Sequence, residues 1–213
     1  MTTSQDYLAE KKKIEANIVK PIEEAMAQEL GEAEARSIVS RSLAAHGASP
    51  SPSPFEGQTP VTILAQRRIE IDLVKYFYRI LAERHGQPAA GRLIGQAIVN
   101  DARAAGRQKA SQSQVATDLT TFAQILPLWS SGGALDMTVL ESTDKTLRYS
   151  VSRCGYADMY REMGLTDLGF LVSCGRDGAF MEGYAPGVTL ERDKTIMTGD
   201  RTCEFCYRAT NPR

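Results

Sequence analysis

The chain has 213 residues, with 25 Lys and Arg against 26 Asp and Glu, a net charge of -1. Hydrophobic residues make up 42% and charged residues 24%, the balance of an ordinary globule that buries a core without needing disulfides or metals. Wholesale disorder, collagen-like repeats and a disulfide scaffold are excluded, and near-neutral charge argues against a broad nucleic-acid or anionic-membrane surface.

No run of about 18 apolar residues occurs, so no membrane span is expected. The start lacks an apolar signal core behind a basic segment. A cytoplasmic location is therefore expected, with Cys154, Cys174, Cys203 and Cys206 remaining thiols. Two histidines, His46 and His85, are too few for a His-rich metal site.

From Tyr7 to His46 the spacing is helical, with Ile14, Ile18, Ile22, Met26 and Leu30 on one stripe. Pro21 suits a first turn or a kink. Gly31 reads as a stop between two helices. Ala48 to Pro60, with its Ser-Pro repeats, reads as an extended loop and the main boundary. Thr59-Pro60 opens a helix ending at Gly86, with Ile63, Leu64, Ile71, Val74, Phe77, Tyr78 and Leu81 as its apolar stripe. A further helix over about 89–110 turns Leu93, Ile94, Ala97 and Ile98 inward. Another starts at Ser113 and turns Val115, Leu119, Phe122 and Leu126 inward.

Beyond Gly132-Gly133 the period changes from 3.6 to 2. Leu135, Met137 and Val139 alternate, then Leu147, Tyr149 and Val151, and Thr143-Asp144-Lys145 supplies a hairpin turn. A short helix follows over about 157–163. Thr166 is the expected N-cap of a helix running to about Glu182. Val188, Leu190 and Ile196 suggest a strand broken by charges, and Thr202 to Arg208 a final strand. The expected fold class is α+β: an N-terminal helical region, then a small antiparallel sheet with packed helices. The expected organisation is a helical arm over 1–47, a Ser/Pro-rich loop over 48–60 and an α+β domain over 61–213.

Chemistry concentrates in the C-terminal part. Phe170, Cys174, Asp177 and Met181 fall on one helical stripe, with Cys174 and Asp177 three residues apart. An Asp on an apolar stripe is costly unless it is paired. Its charge raises the pKa of a neighbouring thiol, which is poor for activation by charge alone. Asp177 as proton acceptor, or a cation from Arg176 or Arg153 favouring thiolate, makes chemical sense of the pair. Spacing alone favours a buried Cys174 packed as a small hydrophobe and an exposed Asp177, since a free Cys is often simply buried. Cys203 and Cys206 fall on opposite faces of the last strand, so they do not form a zinc knuckle. His46 and His85 read as helix-end residues.

The stretch Arg153-Cys154-Gly155-Tyr156-Ala157-Asp158-Met159-Tyr160-Arg161-Glu162-Met163-Gly164-Leu165 resembles the L-2-amino-thiazoline-4-carboxylic acid hydrolase family. So do Leu168-Gly169, Ser173-Cys174-Gly175-Arg176-Asp177, Thr195-Ile196-Met197, and Gly199-Asp200 through Cys203-Glu204-Phe205 with Tyr207. The resemblance implies a hydrolase that opens a small cyclic amide, imide or amidine ring. Carried over by position, it implies Cys174 as nucleophile and Asp177 as acid/base. Arg176 or Arg153 would hold a substrate carboxylate, Tyr160 and Tyr207 would donate hydrogen bonds to developing charge, and Cys203 would line the site. Gly175, Gly178 and Glu204 depart from the family's usual bulkier residue, aromatic and Asp, which implies a roomier pocket.

The same stretch also resembles the vinyl-reductase-type small-molecule-binding domains of aromatic-compound sensors. Those hold zinc with cysteines and a Glu. Cys174 and Cys203 align with two ligands, but the intermediate positions fall near Arg192 and Thr195, so neither a metal nor a cofactor is expected. The alternative function is thus a non-catalytic, sensor-like binding domain. Under either reading the expected partners are a small heterocyclic molecule and further copies of the chain, because the Tyr- and Phe-rich stripe over 63–126 suits a homo-oligomer.

Overall fold

The computed structural model describes residues 4–48 and 62–210. By compactness the chain divides into two units, Met1–Ala97 and Ile98–Arg213. The expected Ser/Pro-rich loop and the Thr59-Pro60 helix start lie outside the described residues, apart from Ala48, which follows the second helix.

In the first unit, α1 (Ser4–Leu30), α2 (Glu32–Gly47) and α3 (Ile63–His85) pack against one another. Ile14, Ile18, Ile22 and Met26 recur every four residues, and all are buried, as the stripe requires. Pro21 lies inside α1 rather than at its first turn. Gly31 and Gly86 carry φ of 86° and 83°, a conformation closed to residues with a Cβ, so each stops its helix. Thr62 caps α3 by accepting from Ala65 N–H at 3.2 Å. The two histidines are helix-end residues with carboxylate partners: His46 meets Glu15 at 2.8 Å and His85 meets Glu34 at 3.1 Å. Helix α4 (Gln87–Ser111), whose residues fall in both units, buries Leu93, Ile94, Ala97 and Ile98.

In the second unit, the helix expected from Ser113 starts later. It runs over α5 (Leu119–Ile125), because Asp118 forms a capping box with Thr121 that fixes the first turn there. Val115 is consequently exposed instead of inward. A short helix, α6 (Pro127–Ser130), follows. Strands β1 (Leu135–Ser142) and β2 (Thr146–Cys154) form the expected hairpin. Leu147, Tyr149 and Val151 face the core, but two register shifts in β1 break its alternation and leave Val139 exposed. After α7 (Gly155–Glu162) and α8 (Thr166–Gly169) comes a π-turn (Phe170–Cys174), then α9 (Gly175–Tyr184). Strands β3 (Val188–Glu191) and β4 (Cys203–Ala209) complete an antiparallel sheet of order β1-β2-β4-β3. The architecture is α+β: mostly helical, with a four-stranded antiparallel sheet and packed helices.

Thr166 proves to be the first residue of α8 and not its cap, which is Leu165. The π-turn also corrects the expected stripe. Gly175 N–H donates to Phe170 O, five residues back, so one residue is added to the turn. That rotates Phe170 out of phase with Cys174, Asp177 and Met181. Phe170 is 42% exposed while Met181 is fully buried.

Candidate functional site

Cys174 closes the π-turn, and Asp177 stands one turn further along α9. A carboxylate at the edge of a core needs a cation, and the cation is Arg192, from the segment after β3. Arg192 Nη1 donates to Asp177 Oδ2 in a short ion pair, and Nη2 donates to Cys174 O at 2.9 Å. The Arg192 side chain is 8% exposed and its guanidinium lies 4.8 Å over the Phe205 ring. One guanidinium therefore ties together α9, the end of the π-turn and β4. Its Nε is buried with no hydrogen-bond partner among the described residues.

Burial is the largest single influence on Arg192 and pulls its pKa down, but the Asp177 charge and hydrogen bond together with Cys174 and Tyr207 outweigh it, so the guanidinium is held more firmly protonated than usual. The Cys174 thiol goes the other way. Burial first, then the Asp177 charge, push it up to about 12 against the opposing pull of Arg192. Cys174 in its resting state is thus a thiol, not a thiolate.

Two further sulfurs feel the same field. Cys203, the first residue of β4, is buried, and its Sγ accepts from Ile196 N–H at 3.1 Å. Cys154 ends β2 and caps α7, its Sγ accepting from Ala157 N–H at 3.4 Å. Burial raises the pKa of both, and the Asp177 charge adds to it. All four cysteines are free, and Cys206 is half-buried. Among the described residues no group of three or more His, Cys, Asp or Glu gathers as a metal site.

Tyr207 is fully buried on β4 and shares a hydrogen bond with Tyr149 of β2. Burial pushes both phenols up, with the Asp177 charge adding to it. Tyr149 stacks on Phe205 at 4.5 Å, so the sheet side of the site is aromatic.

The remaining expected residues face other partners. Arg176 donates from Nε to Val172 O at 2.8 Å and from Nη1 to Asp101 at 3.4 Å. Arg153 donates to Gly133 O at 2.8 Å and lies 4.0 Å from Asp158. Tyr160 is buried within α7. The structure thus gathers Cys174, Asp177, Cys203 and Tyr207 around a cation that the sequence reading did not assign to the site. One signal pointed to Arg192: a lone Asp on an apolar stripe demands a buried positive partner, and the Glu191-Arg192-Asp193-Lys194 run interrupts the expected strand.

The L-2-amino-thiazoline-4-carboxylic acid hydrolase family matches over residues 66–207. The chain belongs to that family. No curated relative matches it. Among solved structures it is similar to an H-NOX protein from S. oneidensis in the Fe(II)NO ligation state, at 12% identity and TM-score 0.42, over 92% of this chain and 99% of that one. It is also similar to the Fe(II) unliganded H-NOX protein from K. algicida, at 9% identity and TM-score 0.44, over 92% and 96% of the two chains. Likeness at this level carries no argument about ligand or mechanism. No helix among the described residues is long and apolar enough to cross a membrane.

Proposed function

We propose that this protein hydrolyses a small cyclic amide, imide or amidine, with Cys174 as nucleophile and Asp177 as proton acceptor and donor. The observation that carries the reading is the Arg192–Asp177 ion pair, which keeps a carboxylate anionic one helical turn from Cys174. Family membership supports the hydrolytic class.

The protonated thiol sets the order of events. Asp177 takes the Sγ proton as sulfur attacks the ring carbon, and returns it to the departing ring nitrogen. Water then attacks the carbon–sulfur intermediate, giving up its proton by the same route and restoring Cys174. The pair acts as one acid/base couple, and no free thiolate accumulates. Cys203 and Tyr207 line this site in the proposal. Arg153 and Arg176 remain candidates for a substrate carboxylate, and Tyr160 for a hydrogen bond to substrate.

The test is turnover by purified protein of a panel of small cyclic amides, imides and thiazolines, followed by mass spectrometry. Ring-opened product from wild type, absent with Cys174→Ala and Asp177→Asn, is expected. Undiminished turnover by Cys174→Ala removes covalent catalysis.

A second reading, a non-catalytic small-molecule-binding domain, is favoured by the elevated Cys174 pKa. It predicts ligand-induced stabilisation without product, which the same panel detects as a rise in Tm. We further place the protein in the cytoplasm and assign it a homo-oligomeric state. Size exclusion with light scattering tests the latter, and a monomer rejects it.

A further inference from the structure

Arg192 holds more donors than its partners use. Nη1 goes to Asp177 and Nη2 to Cys174 O, yet Nε, inside a side chain 8% exposed, has no partner among the described residues. A buried N–H left without an acceptor is costly, and a substrate oxygen beside it would satisfy it. Nε and Nη2 share one edge of the guanidinium, so the spare N–H lies on the edge that faces the Cys174 carbonyl. The Phe205 ring packs against the guanidinium, 4.8 Å from its carbon, and limits its movement.

Resting on the ring-opening reading above, we infer that Arg192 is itself a catalytic residue. Its Nε–H receives the oxygen on which negative charge develops when Cys174 attacks a cyclic amide or imide carbonyl.

The electron and proton balance favours this placement. At rest, Asp177 is the anion that Arg192 faces. As the S–C bond forms, the Sγ proton passes to Asp177 and the C=O π pair moves onto oxygen. One negative charge thus leaves the Asp177 carboxylate and appears on the substrate oxygen, while the Arg192 cation stays between the two. The site's net charge does not change, and the donor needs no reorganisation. Collapse re-forms C=O, breaks the C–N ring bond, and sends the Asp177 proton to nitrogen. Water then attacks the thioester, Asp177 takes its proton, and a second oxyanion forms at the same donor. Its collapse expels the sulfur, which regains the proton.

The substrate class follows. The scissile carbon carries a carbonyl oxygen, or an exocyclic imine-type nitrogen with a free lone pair, that accepts one hydrogen bond beside the sulfur. A substrate lacking such an acceptor leaves Nε bare and reacts slowly.

The test uses two thiol reagents on the full chain. p-Nitrophenyl acetate acylates a thiol through addition to its carbonyl carbon, which places charge on the oxygen of the attacked carbon, whereas iodoacetamide displaces iodide and does not. The ratio of their rates at Cys174, read by peptide mapping, isolates the oxygen donor from any change in thiol ionisation. Arg192→Lys keeps the charge and the pairing with Asp177 but removes Nε–H, and Arg192→Met removes both. The expected result is a ratio about tenfold lower in Arg192→Lys, with panel turnover down about a hundred- to a thousandfold. Arg192→Lys serves even where Arg192→Met fails to fold.

An unchanged ratio with unchanged turnover overturns the inference. An unchanged ratio with reduced turnover also overturns it, and makes Arg192 a positioning residue acting through Asp177. No turnover by wild type across the panel instead refutes the ring-opening reading, whatever Arg192 does to the ratio.

Discussion

The protonation state of Cys174 gives the most direct test of the site. Burial and the Asp177 charge lift its thiol to about 12, against about 8.5 for a free thiol. At pH 8 roughly one Cys174 in ten thousand is then ionised, compared with about a quarter of a solvent thiol. The more basic sulfur is intrinsically more nucleophilic, which returns about 40-fold at a Brønsted slope of 0.4–0.5. Iodoacetamide should therefore modify Cys174 on the order of 50- to 100-fold more slowly than the cysteine of an unstructured peptide at pH 8. Its rate should climb about tenfold per pH unit up to pH 10.

Asp177→Asn sharpens the test. Asn keeps an acceptor for Arg192 but removes the negative charge beside the thiol, so Cys174 ionises more easily and alkylation quickens. Ring opening must move the opposite way, because the proton acceptor is gone. The assay is mass-spectrometric alkylation kinetics across pH 7–10, with circular dichroism confirming the fold. Alkylation of Cys174 at the free-thiol rate, or slowed by Asp177→Asn, refutes the reasoning.

The same thiol couples to stability. A folded-state pKa above the unfolded one gives stability that is complete below about pH 8.5 and lost as pH rises toward 12. Wild type should lose about 1.4 kcal/mol per pH unit through this group in that window, and urea melts of Cys174→Ala should show a shallower decline. Glu15 has the reverse sign: burial raises its pKa, but His46 and Lys11 outweigh that and hold it below the ordinary 4.5. The advantage of wild type over Glu15→Gln, about 1 kcal/mol or less, should vanish as acid titration passes below pH 4.5. At the crossing of α4 and α9, a Cβ on Gly106 would sit 2.1 Å from Phe180 O, and one on Gly183 2.1 Å from Arg103 O. Alanine at either should cost about 1–3 kcal/mol in urea melts, since backbone has to move. Gly178→Ala meets only Leu190 at 3.9 Å, so it should instead stabilise by about 0.5–1 kcal/mol.

Periodicity by itself determined the elements whose signal is local. The Ile14–Ile18–Ile22–Met26 stripe, the Gly31 and Gly86 stops and the hairpin around Thr143-Asp144-Lys145 were legible because side-chain spacing and turn chemistry act within a few residues. The family was legible from the Cys174-to-Asp177 and Gly199-to-Tyr207 segments. Tertiary structure decided the rest. The π-turn at Phe170–Cys174 leaves no periodic mark, and it alone separates Phe170 from the Cys174 face. The choice of Arg192 over Arg153 or Arg176 as the partner of Asp177 was made 15 residues away. A guanidinium in sequence carries the same charge everywhere. Only packing against Phe205, with water excluded, determines which one a carboxylate meets.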